Sequence, residues 1–275
     1  MNEASSRGSF FAILFLSFLV VSAQDPRTIK LSEPDKTRGL RVMEALSVRA
    51  SATEWSDVEL SLKDLSDLLW AANGINRPDI KKRTAPSAMN AQDVDIYVFR
   101  KDGVYLYDAS NHALTLVLAG DQRSQIGMRP GERPGGPAGA PAGPPRPEGQ
   151  QPPRPAGPPS TAPIQLVLVS DASRFPAGTP ELKYEWGAID TGIVSQNISL
   201  FCAAAGLGTR PRASIAKDRL KSLLKLKDAQ NPFLEHPVGY KFRTGPDASA
   251  LRPSQNDLHG LDPQPGAGPR SSSRR

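Results

Sequence analysis

Between Gly127 and Pro163 the chain is built mainly from proline, glycine and alanine, with Arg129, Arg133, Arg146 and Arg154 among the charges and almost no large apolar side chain. Such a stretch cannot bury enough surface to offset the entropy of ordering it. It is expected to be a disordered insertion, extended in part as polyproline II, inside one domain whose two parts flank it. The chain has 275 residues with 27 Pro and 23 Gly, unevenly spread, so the folded part is shorter than the whole. A binding arm for acidic surfaces or proline-reading modules is the functional alternative for this segment.

The ends of the chain are also set apart. Phe10 to Val21 is apolar apart from Ser17, follows Arg7, and precedes Val21-Ser22-Ala23. Roughly a dozen apolar residues is short for a membrane span and suits a signal peptide over 1–23. The mature chain is therefore expected to be exported, periplasmic or secreted, with no stable membrane span after cleavage. Residues 24–40 read as a flexible segment, 41–240 as the folded domain, and 241–275 as a disordered basic tail. The single cysteine, Cys202, excludes an intramolecular disulfide, and its apolar neighbours mark a buried, inert thiol.

Within 41–240 the patterns alternate between helix and strand. Arg41 to Val48 reads as a short helix. Ser61 to Gly74 reads as a longer one, with Ser61 as N-cap, Asp64 three residues on, a stripe of Leu65, Leu68, Leu69 and Ala72, and Gly74 as the stop. Asp95 to Arg100 and Val104 to Tyr107 flank Asp102-Gly103, a hairpin signal. Leu114 to Leu118 fits either a strand or a short helix. IQLVLVS, Ile164 to Ser170, is the clearest buried strand. Helices are expected over Asp190 to Ala205 and Ser214 to Lys227, and a last strand or turn over Glu235 to Tyr240. The class is α+β.

Three segments carry candidate chemistry. RASATEW alternates Arg49, Ser51 and Thr53, which on an extended backbone point one way and offer a cation and two hydroxyls to an anion. RTAPSAMNAQ, Arg83 to Gln92, has no acid or base after Arg83, but presents Ser87 and the amides Asn90 and Gln92 at the mouth of a strand. Gly206-Leu207-Gly208 ends a helix, and its second glycine suggests that backbone comes close to something. Each segment alone reads equally well as an ordinary loop. His112, His236 and His259 have no metal-ligand spacing, and no nucleophile elbow, phosphate loop or dinucleotide fingerprint is present. The net charge of +6 lies mainly in the insert, the late helix and the tail, without interleaved aromatics, which argues against nucleic-acid binding.

Taken together and in order, RASATEW, LSDLLWAANGINRPD, KRTAPSAMNAQ, YLYDASNHAL, DTGIVSQNISLFCAAAGLGT and HPVGY resemble the nitroreductase-like flavoprotein family, nearest its subgroup related to the thiazole/oxazole-forming (SagB-type) dehydrogenases. The resemblance runs from about Arg41 to Tyr240, excluding the insert. It implies a mainly antiparallel sheet flanked by helices, FMN at a homodimer interface, and oxidation or reduction of a small flat substrate with an electron donor such as NAD(P)H. It implies phosphate contacts from Arg49 and Ser51. Thr53 stands where the family has a second Arg, so Arg212, Lys241 or Arg243 would have to replace that charge. It implies contacts along the flavin from Pro86, Ser87, Ala88, Asn90 and Gln92, and packing of Gly206, Leu207 and Gly208 beside the ring. No catalytic residue is implied, because the flavin carries the chemistry. A catalytically degenerate flavin-binding module, or a surface interaction module, is the alternative.

Overall fold

The computed structural model describes residues 28–128 and 162–241. The signal segment, nearly all of the Pro/Gly-rich insert (129–161) and the tail beyond Lys241 lie outside them. Among the described residues, no helix is long and apolar enough to cross a membrane.

In chain order the elements are β1 (Thr28–Lys30), α1 (Val42–Val48), α2 (Leu62–Asn73), β2 (Ile75–Arg77), β3 (Lys82–Arg83), β4 (Val94–Phe99), β5 (Gly103–Asp108), β6 (Ala113–Ala119), β7 (Ile164–Asp171), α3 (Pro180–Ala204), β8 (Leu207–Thr209), α4 (Lys217–Leu223) and β9 (Gln230–Tyr240). Seven strands form one sheet in the order β1-β6-β5-β4-β7-β9-β8, every neighbouring pair antiparallel. β2 and β3 make a separate ribbon. The insert leaves the fold after β6 and returns at β7.

Strand alternation divides the core in two. Ile96 and Val98, with Ile164, Leu166 and Leu168, face α2 and α3. Tyr97 and Phe99, with Val167 and Val169, face Leu220 and Leu224 on the α4 side. β7 is buried on both faces, which is why IQLVLVS carries almost no polar residue. The expected hairpin forms as β4–β5, and Leu114 to Leu118 resolves to a strand. Ser61 caps α2 by accepting from the Asp64 N–H at 3.0 Å.

Two helices differ from expectation. α3 begins at Pro180, ten residues before Asp190, because Thr179 accepts the Leu182 N–H and Pro180 opens the first turn. The extra turns contain Gly187, a poor helix former, with a reason given below. The helix expected over Ser214 to Lys227 is only Lys217–Leu223. Ile215 is drawn off into a bridge with Gly127, and Lys225 turns left-handed at φ 51°, ending the helix before Leu226. The last strand is longer than expected, starting at Gln230.

Candidate functional site

The RASATEW segment lies along the edge of the sheet. Ser51 bridges Thr209 of β8, the Ala52 N–H donates to the Thr209 carbonyl at 2.9 Å, and Trp55 bridges Lys241 at the end of β9. The buried indole of Trp55 donates to the Gly208 carbonyl at 2.8 Å. Gly208 must be glycine for this fit, since a Cβ there would meet Ala52 Cβ at 3.0 Å and Lys241 Cγ at 3.2 Å. At the second glycine the close neighbours are thus the protein's own side chains, Ala52 and Trp55 of RASATEW and Lys241. Leu207 is buried in the main core. Gly206, exposed and at φ +75°, has open space where its side chain would be.

Arg49, Ser51 and Lys241 are all exposed around this edge, and neither Arg49 nor Lys241 makes an ion pair among the described residues. One end of the molecule therefore presents two uncommitted cations, a hydroxyl and glycine backbone. Arg212 is differently placed: its guanidinium pairs with the buried Glu235 carboxylate at 3.0 Å, and their backbones form a bridge. Burial pushes the Glu235 carboxyl up while Arg212 pulls it back. Arg243 lies outside the described residues.

Pro86 to Gln92 is held elsewhere, against the first half of α3. The Ala88 N–H donates to both carboxylate oxygens of Asp190, at 2.9 and 3.1 Å. Ser87 Oγ accepts the Gln92 N–H at 2.8 Å, which leaves its own proton free. The Gln92 amide is engaged: its oxygen accepts from Arg83 Nε at 2.9 Å and its nitrogen donates to the Lys81 carbonyl at 3.0 Å. Pro86 and Asn90 are exposed. Met89, Asn90 and Gln92 all have positive φ, at 50°, 56° and 50°. Non-glycine residues are rarely held so, and three in four positions mark a segment shaped by its surroundings.

The candidates therefore fall into two groups on one chain. Asp190 and the end of α3 at Ala204 are about 20 Å apart along the helix. The Ser87–Gln92 group stands beside the first, and the Arg49, Ser51, Gly206, Gly208 and Lys241 group beside the second. Around them the surface is apolar: Leu182, Tyr184 and Ile189 on α3 and Val42, Met43 and Leu46 on α1 are exposed. A groove of about 290 Å³ lined by Leu40, Val42, Trp70, Leu200 and Phe201 runs between α1, α2 and α3.

Sequence reasoning passed over Asp190 and Asp93. The signal was available for Asp190, which falls on the same helical stripe as the buried Val194 and Ile198. A carboxylate there needs a partner, and Ala88 is that partner. It also passed over Ser195 and Thr209, which enclose His236. Ser195 Oγ lies 2.8 Å from Nε2 and Thr209 Oγ1 lies 3.1 Å from Nδ1. Thr209 spends its own proton on the Pro237 carbonyl, so Nδ1 carries the ring's proton and Nε2 accepts from Ser195. His236 braces β8 and β9 beneath the glycine edge.

A mainly antiparallel sheet is packed on a long helix whose flanks carry amides, glycines and cations. A family model described as the nitroreductase family matches residues 47–240. A Methanocaldococcus jannaschii protein assigned as a nitroreductase is 24% identical over 220 residues, covering 78% of this chain and 98% of that one. A crystal structure from Ralstonia eutropha JMP134 with the same assignment is 32% identical, with TM-score 0.66, covering 79% of this chain and 91% of that one. The Escherichia coli microcin synthetase McbBCD complex with truncated pro-MccB17 shares the fold at 16% identity and TM-score 0.54, over 86% of this chain and 85% of that one. The chain belongs to the nitroreductase family.

Proposed function

We propose that this protein is an exported FMN-dependent oxidoreductase that moves two electrons between a donor and a small, flat organic acceptor, with two copies of the chain building each cofactor site. The observation that carries the reading is the pair of uncommitted cations, Arg49 and Lys241, beside Ser51 and the Gly206–Gly208 backbone. That donor set suits a phosphate and the polar chain attached to it. The second group suits the edge of a flat ring: the free Ser87 proton, the exposed Asn90 amide and the backbone around Ala88. Gln92, already held by Arg83, shapes this wall rather than reaching out from it.

The separation of the groups along α3 supports assembly from two chains, the ring wall of one completing the phosphate end of the other. The exposed apolar faces of α1 and α3 supply the surface for that contact. FMN, when bound, supplies the hydride and electron chemistry. The residues of this chain bind and orient it, and the Trp55–Gly208 packing keeps one wall rigid. Reductant and substrate are small molecules, with NAD(P)H the donor expected of the family. The fold shared with McbBCD, together with the order of the sequence motifs, favours the thiazole/oxazole-related branch. Export rests on the apolar segment from Phe10 to Val21.

Purified mature protein is expected to be yellow, or to become so with added FMN, and to run as a dimer. A colourless monomer that stays so with FMN refutes the proposal. A second reading, a flavin-binding module without turnover, is favoured by Thr53 in place of the family's second Arg and by the commitment of Arg212 to Glu235, which leave Lys241 as the described replacement beside Arg49. Stopped-flow reduction separates the two, since bound FMN that no donor reduces selects the module.

A further inference from the structure

We infer that Asp93 and Asp190 hold a single proton between them, and that this proton-bridged pair positions the Ser87–Gln92 wall of the site. Asp93 follows Gln92 directly and is completely buried; Asp190 is 3% exposed. Asp93 Oδ2 accepts the Ser170 hydroxyl at 2.5 Å. Asp93 Oδ1 is buried with no donor from any described residue. Ser170, which donates to Asp93, packs against Gly187, and Asp190 follows Gly187 by one turn of α3, so the helix brings the Asp190 carboxyl to the same pocket. A bare carboxylate oxygen in a dry site is costly, and two carboxylates side by side repel. A proton shared across the pair removes both costs.

No cation competes for that role. Among the described residues, no Lys, Arg or His forms an ion pair with Asp93 or Asp190. Of the charges on the neighbouring segments, Arg174 pairs with Asp95 and Asp171, and Arg83 donates to the Gln92 amide oxygen. Ser170 of β7 is spent on Asp93, and the Thr191 hydroxyl of α3 on the Gly187 carbonyl. Burial, with the neighbouring Asp190 charge, pushes the Asp93 carboxyl up to about 7.

The pair's outlet is Ala88, whose N–H sits on both Asp190 oxygens. When the proton leaves, a second negative charge appears in the pocket and the two carboxylates separate. The sheet and α3 are fixed by the core, so the part that yields is the half-exposed segment with three left-handed residues. The pair stands on this geometry alone; its effect on the cofactor rests on the flavin reading above.

The test uses the full mature chain and the variants Asp93→Asn and Asp93→Ala. Asparagine reproduces the protonated acid, donating to Asp190 while accepting from Ser170. Melting temperature is followed from pH 5 to 8.5, with amide exchange at Ala88 and FMN affinity at both ends. Wild type is expected to lose about 5 °C relative to Asp93→Asn as pH rises, and Ala88 to lose exchange protection in wild type alone. FMN affinity is expected to fall severalfold in wild type and stay level in Asp93→Asn. Asp93→Ala is expected to be weak at both ends, so that asparagine rescues what alanine does not. Parallel melting curves for wild type and Asp93→Asn, or failure of Asp93→Asn to fold, overturn the inference. If no form binds FMN at any pH, the flavin reading falls, while the melting curves and Ala88 exchange still decide the proton.

Discussion

Gly187→Ala is expected to destabilise the protein although it replaces the worst non-proline helix former with the best, in the interior of α3. Propensity alone favours the change by about 1 kcal/mol. The added Cβ, however, would stand 2.3 Å from Ser170 Oγ and 2.9 Å from Ser170 Cβ, with Phe233 Cε2 next at 3.6 Å. Either α3 lifts from β7 or the Ser170 hydroxyl rotates away from Asp93. Overpacking of this kind costs about 1–3 kcal/mol, and losing a hydrogen bond to a buried acid costs about 1–3 kcal/mol more. Set against the propensity gain, the net loss is about 1–5 kcal/mol, a fall of about 3–15 °C in melting temperature for a domain of this size. Gly192, one and a half turns on and exposed, has nothing within 4 Å, so Gly192→Ala in the same helix is expected to rise by about 2–4 °C. Ser170→Ala in the Gly187→Ala background should recover part of the loss, a non-additivity marking direct contact. Thermal unfolding of these proteins and of Ser170→Ala alone decides it. A Gly187→Ala variant as stable as wild type refutes the packing argument and, with it, the seating of Ser170 under α3.

Arg49→Ala and Lys241→Ala are each expected to weaken FMN binding about tenfold or more while leaving the melting temperature of the flavin-free protein unchanged, since both side chains are exposed; fluorescence titration reads the first and calorimetry the second. Arg212→Ala is expected to cost about 2–3 kcal/mol, towards the low end for a pair whose carboxylate is buried, because Arg212 itself is 38% exposed. Adding Glu235→Gln should restore most of it in urea unfolding, and no recovery would remove the ion pair as the cause. Burial holds His236 neutral and pushes it down to about 3 from an ordinary value of 6.5, so the unfolded chain takes up this proton first as pH falls. Its contribution is complete above about pH 6.5 and drains away towards pH 3, and His236→Asn should flatten that acid limb of the stability profile. Asp93 acts in the opposite sense, because its raised value favours the folded state at low pH and loses that advantage as pH rises towards about 7. The bare wild-type curve is the sum of the two, so the difference between wild type and each variant, not the shape of one curve, carries the information.

The fold was legible wherever one periodicity met one kind of surface. IQLVLVS could only be a strand covered on both faces, and the Leu65, Leu68, Leu69 and Ala72 stripe could only be the buried side of a helix. The first ten residues of α3 were not legible, for a physical reason. The helix was expected to start only at Asp190 because Gly187 is a poor helix former whose reason lies in another element, at Ser170 of β7, 17 residues upstream. Pro180 and Thr179 did mark the start, but a start signal is weak when the turns that follow lack an apolar stripe. The short α4 was over-read for the opposite reason: its leucines continue past Leu223, while a left-handed Lys225 and the Gly127–Ile215 bridge end the helix on both sides.

The site divides along the same line. Its residue types were readable, since a cation, hydroxyls, amides and glycines suit the binding of a polar ligand better than acid–base catalysis. Its grouping was not, because chain order places RTAPSAMNAQ between RASATEW and the glycine loop while the fold places it at Asp190, near the middle of α3 and about 20 Å from the glycine end. That displacement has a cause in single residues. Ala88 is drawn to Asp190, an aspartate on the buried stripe that no apolar neighbour can satisfy, and Gly208 is drawn to Ala52 and Trp55. Each group is therefore fixed by one buried contact to the core rather than by the other group. The ring wall and the phosphate end stand apart on this chain, and α3 between them is a continuous helix packed on the sheet. The separation along α3 favours the proposal that a second copy completes the site, and on that proposal a variant that stays monomeric should lose flavin even with every site residue intact.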